Sequence, residues 1–125
     1  MLLLDTSALI GLEEELAKRQ VGAVRAFLGG HKGEDIACST VTVGELASGA
    51  NETEVRVLLR RLRKIPLSEA VAYRAGELDK ALMRKGWRLG ENDNWIAGFA
   101  RYYHEAVISR DQAFDRVPGI RRIAY

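Results

Sequence analysis

The sequence predicts an α/β fold, a single domain over residues 1–125 with a parallel sheet of four to five strands flanked by helices. Two observations carry this. Leu2-Leu3-Leu4, Ile36-Ala37-Cys38 and Ala106-Val107-Ile108 are short, uninterrupted apolar runs ended by polar residues, the pattern of strands buried on both faces. The segments between them repeat apolar residues every three or four positions, so strands alternate with helices, and such an alternation builds a parallel sheet through right-handed crossovers. A chain of 125 residues fits one compact domain and buries roughly two-thirds of its unfolded surface.

Taken in order, Leu2–Leu4 is the first strand and ends at Asp5. Ser7 caps a helix whose stripe is Ala8, Leu9 and Leu12. Val24, Phe27 and Leu28 mark a second helix, begun near Gly22 and closed by Gly29-Gly30. Ile36–Cys38 is the second strand, and Ser39 or Thr40 caps a helix carrying Val43, Leu46 and Ala47. A helix with Val55, Leu58, Leu59 and Leu62 runs on and stops before Pro66. Ile65-Pro66-Leu67 fits a short edge strand, because a proline has no N–H for an interior ladder. Ser68 opens a long amphipathic helix through Val71, Ala75, Leu78 and Leu82. Asn92 or Asp93 caps the next, with Ile96, Ala97 and Ala100 inward. Ala106–Ile108 is the late strand, and Arg121 to Ala124 a last, weaker one.

Composition excludes several function classes. Hydrophobic residues are 47% and charged residues 29%, so the chain has enough apolar surface to fold. A formal net charge of +2 is too mild to identify a nucleic-acid partner. One cysteine, Cys38, rules out a disulfide scaffold and a cysteine zinc site within one chain. No apolar run reaches the roughly 20 residues of a membrane helix, so a cytoplasmic protein without membrane attachment is expected.

The informative residues are acids at the ends of elements. Asp5 follows the first strand, and Asp111 follows the late strand after Ser109-Arg110. Ligands of parallel α/β sheets bind beyond the carboxyl ends of strands. Glu45 lies in the second turn of the helix after the second strand, and Asp93 at the start of another. Each has an ordinary alternative: Asp5 and Asp93 as helix caps, Asp111 as a turn residue. Glu45, among Val43, Gly44, Leu46 and Ala47, is partly enclosed and needs a partner. Carboxylates brought together need a cation, and an all-oxygen set suits Mg²⁺ or Mn²⁺. Such ions activate water and stabilise a leaving oxygen in phosphodiester hydrolysis.

Four segments together resemble the PIN domain. These are Leu2-Leu3-Leu4-Asp5-Thr6-Ser7-Ala8-Leu9, Ser39-Thr40-Val41-Thr42-Val43-Gly44-Glu45-Leu46, Asn92-Asp93-Asn94-Trp95-Ile96-Ala97 and Val107-Ile108-Ser109-Arg110-Asp111, the last continuing to Phe114-Asp115. The short form is similar to the VapC-type toxins of prokaryotic toxin–antitoxin pairs. The resemblance implies a metal-dependent ribonuclease leaving 5′-phosphate and 3′-hydroxyl ends, held inactive by a cognate antitoxin and assembled as a homodimer. It implies that Asp5, Glu45, Asp93 and Asp111 are the catalytic, metal-binding acids, with Asp5 shared between ions, and that Ser7 and Ser109 hydrogen-bond those carboxylates. Asp115 ranks behind Asp111 because it lies further from the strand end. Gly98 stands where relatives often carry alanine, which loosens a helix and touches no acid.

For RNA, Arg56, Arg60 and Arg63 fall along one helical face and can grip phosphates; a merely solvated basic face is the plainer account. Lys80, Arg84, Lys85 and Arg88 form a second basic region. Trp87 and Trp95 read as packing or interface residues. An apolar groove between Leu9, Leu12, Leu16 and the Val55–Leu62 helix would seat an antitoxin helix. The alternative function is a non-catalytic RNA- or partner-binding module of the same fold. A receiver domain lacks its mid-chain acceptor Asp here, and an Asp-nucleophile phosphatase would need a second Asp where Ser7 stands.

Overall fold

The computed structural model describes all residues 1–125. Five strands, β1 (Leu2–Leu4), β2 (Ile36–Ser39), β3 (Arg63–Ile65), β4 (Ala106–Ile108) and β5 (Arg122–Ile123), form one sheet in the order β3-β2-β1-β4-β5. Every pairing is parallel, with Leu3 opposite both Ala37 and Val107. Six α-helices connect them: α1 (Thr6–Ala17), α2 (Ala23–Gly29), α3 (Thr40–Ala47), α4 (Glu52–Leu58), α5 (Glu69–Lys85) and α6 (Glu91–Tyr103). A 3₁₀ turn, Gln112–Arg116, follows β4.

Alternation along the strands divides the core into two layers. Leu3, Ala37 and Val107 face α5 and α6, packing with Val71, Leu82 and Phe99. Leu2, Leu4, Cys38 and Ile108 face the other way, onto Leu9 of α1, Leu46 of α3 and Val55 of α4. Both sheet faces are therefore covered, which is why these strands read as continuous apolar runs.

Strand order fixes the site. From β1 the chain builds outward through β2 to β3, then returns to place β4 on the other side of β1. This reversal opens a crevice beyond the carboxyl ends of β1 and β4. Asp5 and Asp111 stand at those two ends.

Several expectations are corrected. Asp5, and not Ser7, caps α1, its Oδ1 accepting from the Ala8 amide at 2.8 Å. Helix α4 ends at Leu58 and the chain re-extends at Arg63. Pro66 lies just after β3 because proline pushes the residue before it into extended backbone. The edge strand is thus Arg63–Ile65, not Ile65–Leu67, and the last strand is shortened to Arg122–Ile123. Helix α6 starts two residues early behind Gly90, so Asp93 lies within its first turn and caps nothing. Trp87 is exposed, under the Lys85 ammonium at 5.2 Å, and Trp95 is half-buried. Gly98 is a packing requirement: a Cβ there would lie 2.7 Å from the Cβ of Ala75, where α5 crosses α6.

Candidate active site

Asp5 is the centre of the site. It is 2% exposed at the end of β1, its amide bonded to the Ile108 carbonyl at 3.2 Å. With Oδ1 engaged by the Ala8 amide, Oδ2 accepts from Ser109 Oγ at 2.5 Å. The Ser109 oxygen in turn accepts from the Asp111 amide at 2.9 Å. One buried hydroxyl therefore joins the ends of β1 and β4. Asp111 is exposed and caps the 3₁₀ turn, its Oδ1 accepting from the Ala113 amide at 2.9 Å.

Glu45 arrives from α3, half-buried, and Oε1 accepts from Thr6 Oγ1 at 2.6 Å. Thr6 is the link that sequence reasoning missed. Its hydroxyl lies 3.1 Å from that of Thr42, and Ser39 Oγ donates to Thr42 Oγ1 at 3.5 Å. Since Thr6 donates to Glu45, Thr42 donates to Thr6, giving a hydroxyl chain from the end of β2 to Glu45. The available signal was the row of hydroxyl residues beside both acids: Thr6-Ser7, and Ser39-Thr40 with Thr42. Ser7 is exposed and bonds none of the acids, because at the helix start its neighbour Thr6 takes the inward position.

The acids influence one another. Burial pushes the Asp5 carboxyl above its ordinary range; the Ser109 and Ala8 bonds pull it down, and the charges of Asp111 and Glu45 push it up again. Burial raises Asp93 to about 6, reinforced by Asp111, Asp5 and Glu45. No lysine, arginine or histidine offsets either shift. The charges of all four predicted acids thus act on one another at one sheet edge, and no basic side chain offsets those on Asp5 and Asp93, while Arg122 lies within reach of the Asp111 charge. No three carboxylates already stand at chelating distance from one another.

Asp115 is spent elsewhere: Arg122 grips it with two bonds of 2.9 Å, holding its carboxyl below the ordinary range. Of the basic triplet, Arg56 and Arg60 line one cleft of about 460 Å³ together with Lys64, and Arg63 is not part of it. Arg56 lies on α4 paired with Glu52 at 3.5 Å, Arg60 lies in the following turn, and Arg63 begins β3. Arg63 pairs with Asp35 at 3.5 Å, at the start of β2 and so toward the sheet edge away from the acids. The single helical face fails because the helix ends at Leu58. In the second basic region, Arg88 is held by Asp79 through two bonds of 3.0 Å.

At the place expected to seat a partner helix there is an apolar cleft with a different lining. Leu9 and Leu12 are consumed by the core, while Leu16 and Val57 are 48% and 64% exposed. Leu16, Ala50, Val57 and Leu58 line a cleft of about 340 Å³ between α1 and α4, with Glu13 and Glu54 also in its wall. No helix of the chain is long and apolar enough to cross a membrane.

Comparison with known proteins agrees with this fold. The family model described as PIN domain matches residues 2–120. The chain is 32% identical over 92 residues to the tRNA(fMet)-specific endonuclease VapC of Salmonella typhimurium, covering 66% of this chain and 70% of the relative. Among solved structures, VapBC2 from Rickettsia felis bound to a DNA fragment from its promoter superposes with a TM-score of 0.83 at 23% identity, covering 99% of this chain and 98% of that one. A toxin–antitoxin complex from Klebsiella pneumoniae gives a TM-score of 0.72 at 24% identity, covering 96% and 95%. With residues 2–120 of its 125 matched by the family model, this chain belongs to the PIN-domain family.

Proposed function

We propose that the chain is a divalent-metal-dependent ribonuclease, the toxin of a toxin–antitoxin pair, with Asp5, Glu45, Asp93 and Asp111 as its metal-binding acids. The observation that carries this is the buried Asp5 carboxylate, bonded only by the Ala8 amide and the Ser109 hydroxyl and by no basic side chain, with the charges of Asp111 and Glu45 acting on it and its own charge acting on Asp93. Such a cluster is costly in isolation and favourable around a divalent ion. The donors are all carboxylate oxygens, the set that suits Mg²⁺ or Mn²⁺. When bound, the ion supplies Lewis acidity and an activated water for phosphodiester hydrolysis.

The chain's own residues do the rest. Ser109 orients Oδ2 of Asp5 and sets the Asp111 backbone at once. Thr6 fixes the rotamer of Glu45 through its 2.6 Å bond. Asp93, raised to about 6, is the acid whose charge depends most on a cation being present. Asp5, at the meeting point of both hydrogen-bonded ends, is the ligand placed to be shared.

RNA is the substrate by likeness to the VapC relative. A cytoplasmic homodimer is part of the same proposal. The cognate antitoxin would seat an apolar segment in the α1–α4 cleft at Leu16, Val57 and Leu58. Asp5→Asn is the test. RNA cleavage in Mg²⁺ or Mn²⁺ should disappear while circular dichroism and oligomeric state stay unchanged; full residual activity would remove the assignment. The same assay separates this reading from a non-catalytic RNA- or partner-binding module, for which the unaltered protein would cut nothing.

A further inference from the structure

We propose that Arg110 is the phosphate clamp of an RNA subsite flanking the four acids, with Tyr125 as the shelf that holds its guanidinium in place. The inference rests on the ribonuclease reading and names how that site takes its substrate. Arg110 lies in the chain between Ser109 and Asp111, the two residues that tie the end of β4 to Asp5. It is exposed, and its guanidinium carbon lies 4.8 Å from the Tyr125 ring centroid. Nε donates to the backbone oxygen of Tyr125 at 3.4 Å, and the two Nη groups have no protein partner. The ring behind and the backbone oxygen at Nε restrain the plane of the fork while leaving its outer donors free. A planar guanidinium restrained in this way suits bidentate capture of a phosphate, with little rotamer entropy left to lose.

The surroundings fit a phosphodiester. A cleft of about 350 Å³ is walled by Arg110, Tyr125, Ser7, Gly22 and Glu15 among others, within the size range of small-ligand sites. Tyr125 is half-buried, and the cleft wall includes Ser7, two residues after Asp5, and Arg110, next to Asp111, so the cleft opens near the acids. Of the two carboxylates in this wall, Glu15 is already engaged: its two oxygens accept from the Val24 and Arg25 amides at 3.1 and 3.2 Å. It thereby neutralises the start of α2, where Gly22 offers no side-chain cap. Glu14 also lines the cleft and is exposed to water. The free basic group nearest the acids along the chain is therefore Arg110, and the ligand class is the phosphodiester of single-stranded RNA.

The test is fluorescence anisotropy of a labelled, mixed-sequence single-stranded hexaribonucleotide, titrated with the full chain in EDTA over a range of salt concentrations. No metal is needed for this contact, so its outcome is independent of the acids' metal binding. Arg110→Ala should weaken binding about tenfold and reduce the log–log salt slope by about 0.7, the share of one single-strand phosphate. Arg110→Lys should restore the slope but not the full affinity. Tyr125→Phe should bind as the unaltered protein does, while Tyr125→Leu loses affinity with the slope kept. Unchanged affinity and slope in Arg110→Ala would overturn the proposal, including the case where that variant only melts lower and the stack merely ties down the chain. Absence of hexamer binding by the unaltered protein would overturn it too. The melting shift caused by Mn²⁺, read on the same proteins, should be equal in Arg110→Ala and the unaltered chain; loss of that shift everywhere would remove the metal reading and leave this result standing.

Discussion

The Ser109 hydroxyl donates to the Asp5 carboxylate at 2.5 Å across a sequence separation of 104 residues. This contact ties together the two strand ends at the crevice where the strand order reverses, and it makes the geometry of Asp5 depend on β4. Ser109→Ala removes that donor and the acceptor for the Asp111 amide. Hydrogen bonds to charged groups contribute about 1.5–3 kcal/mol. Urea denaturation at pH 7 should show a loss of that size. Unchanged stability would mean that the two strand ends are held by packing alone.

The raised acids make a prediction about pH. Asp93 moves from 3.8 to about 6 on folding, so between those values the folded state binds more protons than the unfolded one. Stability of the metal-free protein must then fall as pH rises through that window. Allowing for the water that reaches half-buried Asp93, the loss is about 1–2 kcal/mol. The difference in unfolding free energy between the unaltered protein and Asp93→Asn, measured in EDTA from pH 4 to 7, should grow with pH in favour of the variant. A flat difference would show that Asp93 does not sit in a field of other carboxylates.

Thr6 should behave as a positioning residue for Glu45. Thr6→Val keeps the shape and removes the donor, and Thr6→Ser keeps the donor. Loss of a hydrogen bond behind a metal ligand typically costs 10–100-fold in metal affinity. The Mn²⁺ concentration giving half of the maximal melting shift should rise by about that factor in Thr6→Val and stay near its original value in Thr6→Ser. Equal midpoints in all three proteins would leave Thr6 a packing residue.

Gly98 tests the α5–α6 crossing. A methyl group there meets Ala75 at 2.7 Å, against backbone as well as side chain. Overpacking of this kind costs about 1–3 kcal/mol. Gly98→Ala should lower the melting temperature, and adding Ala75→Gly should recover part of the loss. A neutral or stabilising Gly98→Ala, as intrinsic helix propensity alone would give, would contradict the crossing described.

The pattern of success in the sequence reading has physical causes. Leu2–Leu4, Ile36–Cys38 and Ala106–Ile108 were legible because strands covered on both faces leave unbroken apolar runs, and Asp5 and Asp111 because they end two of those runs. Glu45 was legible as a charge in an apolar stretch. Local detail was not. Whether Asp5 or Ser7 caps α1 depends on which side chain reaches the Ala8 amide, and the Asp5 cap also serves the site. The Arg56, Arg60 and Arg63 face assumed a helix that ends at Leu58, since pairing of Arg63–Ile65 with β2 overrides the apolar spacing at Leu59 and Leu62. The Thr6–Glu45 bond and the Ala75–Gly98 contact join elements distant in sequence, and no local pattern encodes them. Asn94 is the remaining anomaly: its Nδ2 donates to the Ala75 carbonyl at 2.9 Å, while its buried Oδ1 has no partner.

Anomalous scattering from crystals grown with Mn²⁺ reads out whether the four acids share a cation. A manganese peak is expected beyond the carboxyl ends of β1 and β4, with Asp5 as a ligand and oxygens of Glu45, Asp93 or Asp111 completing the protein's share. Saturating Mn²⁺ with no peak there, or a peak that Asp5 does not touch, would contradict a shared cation.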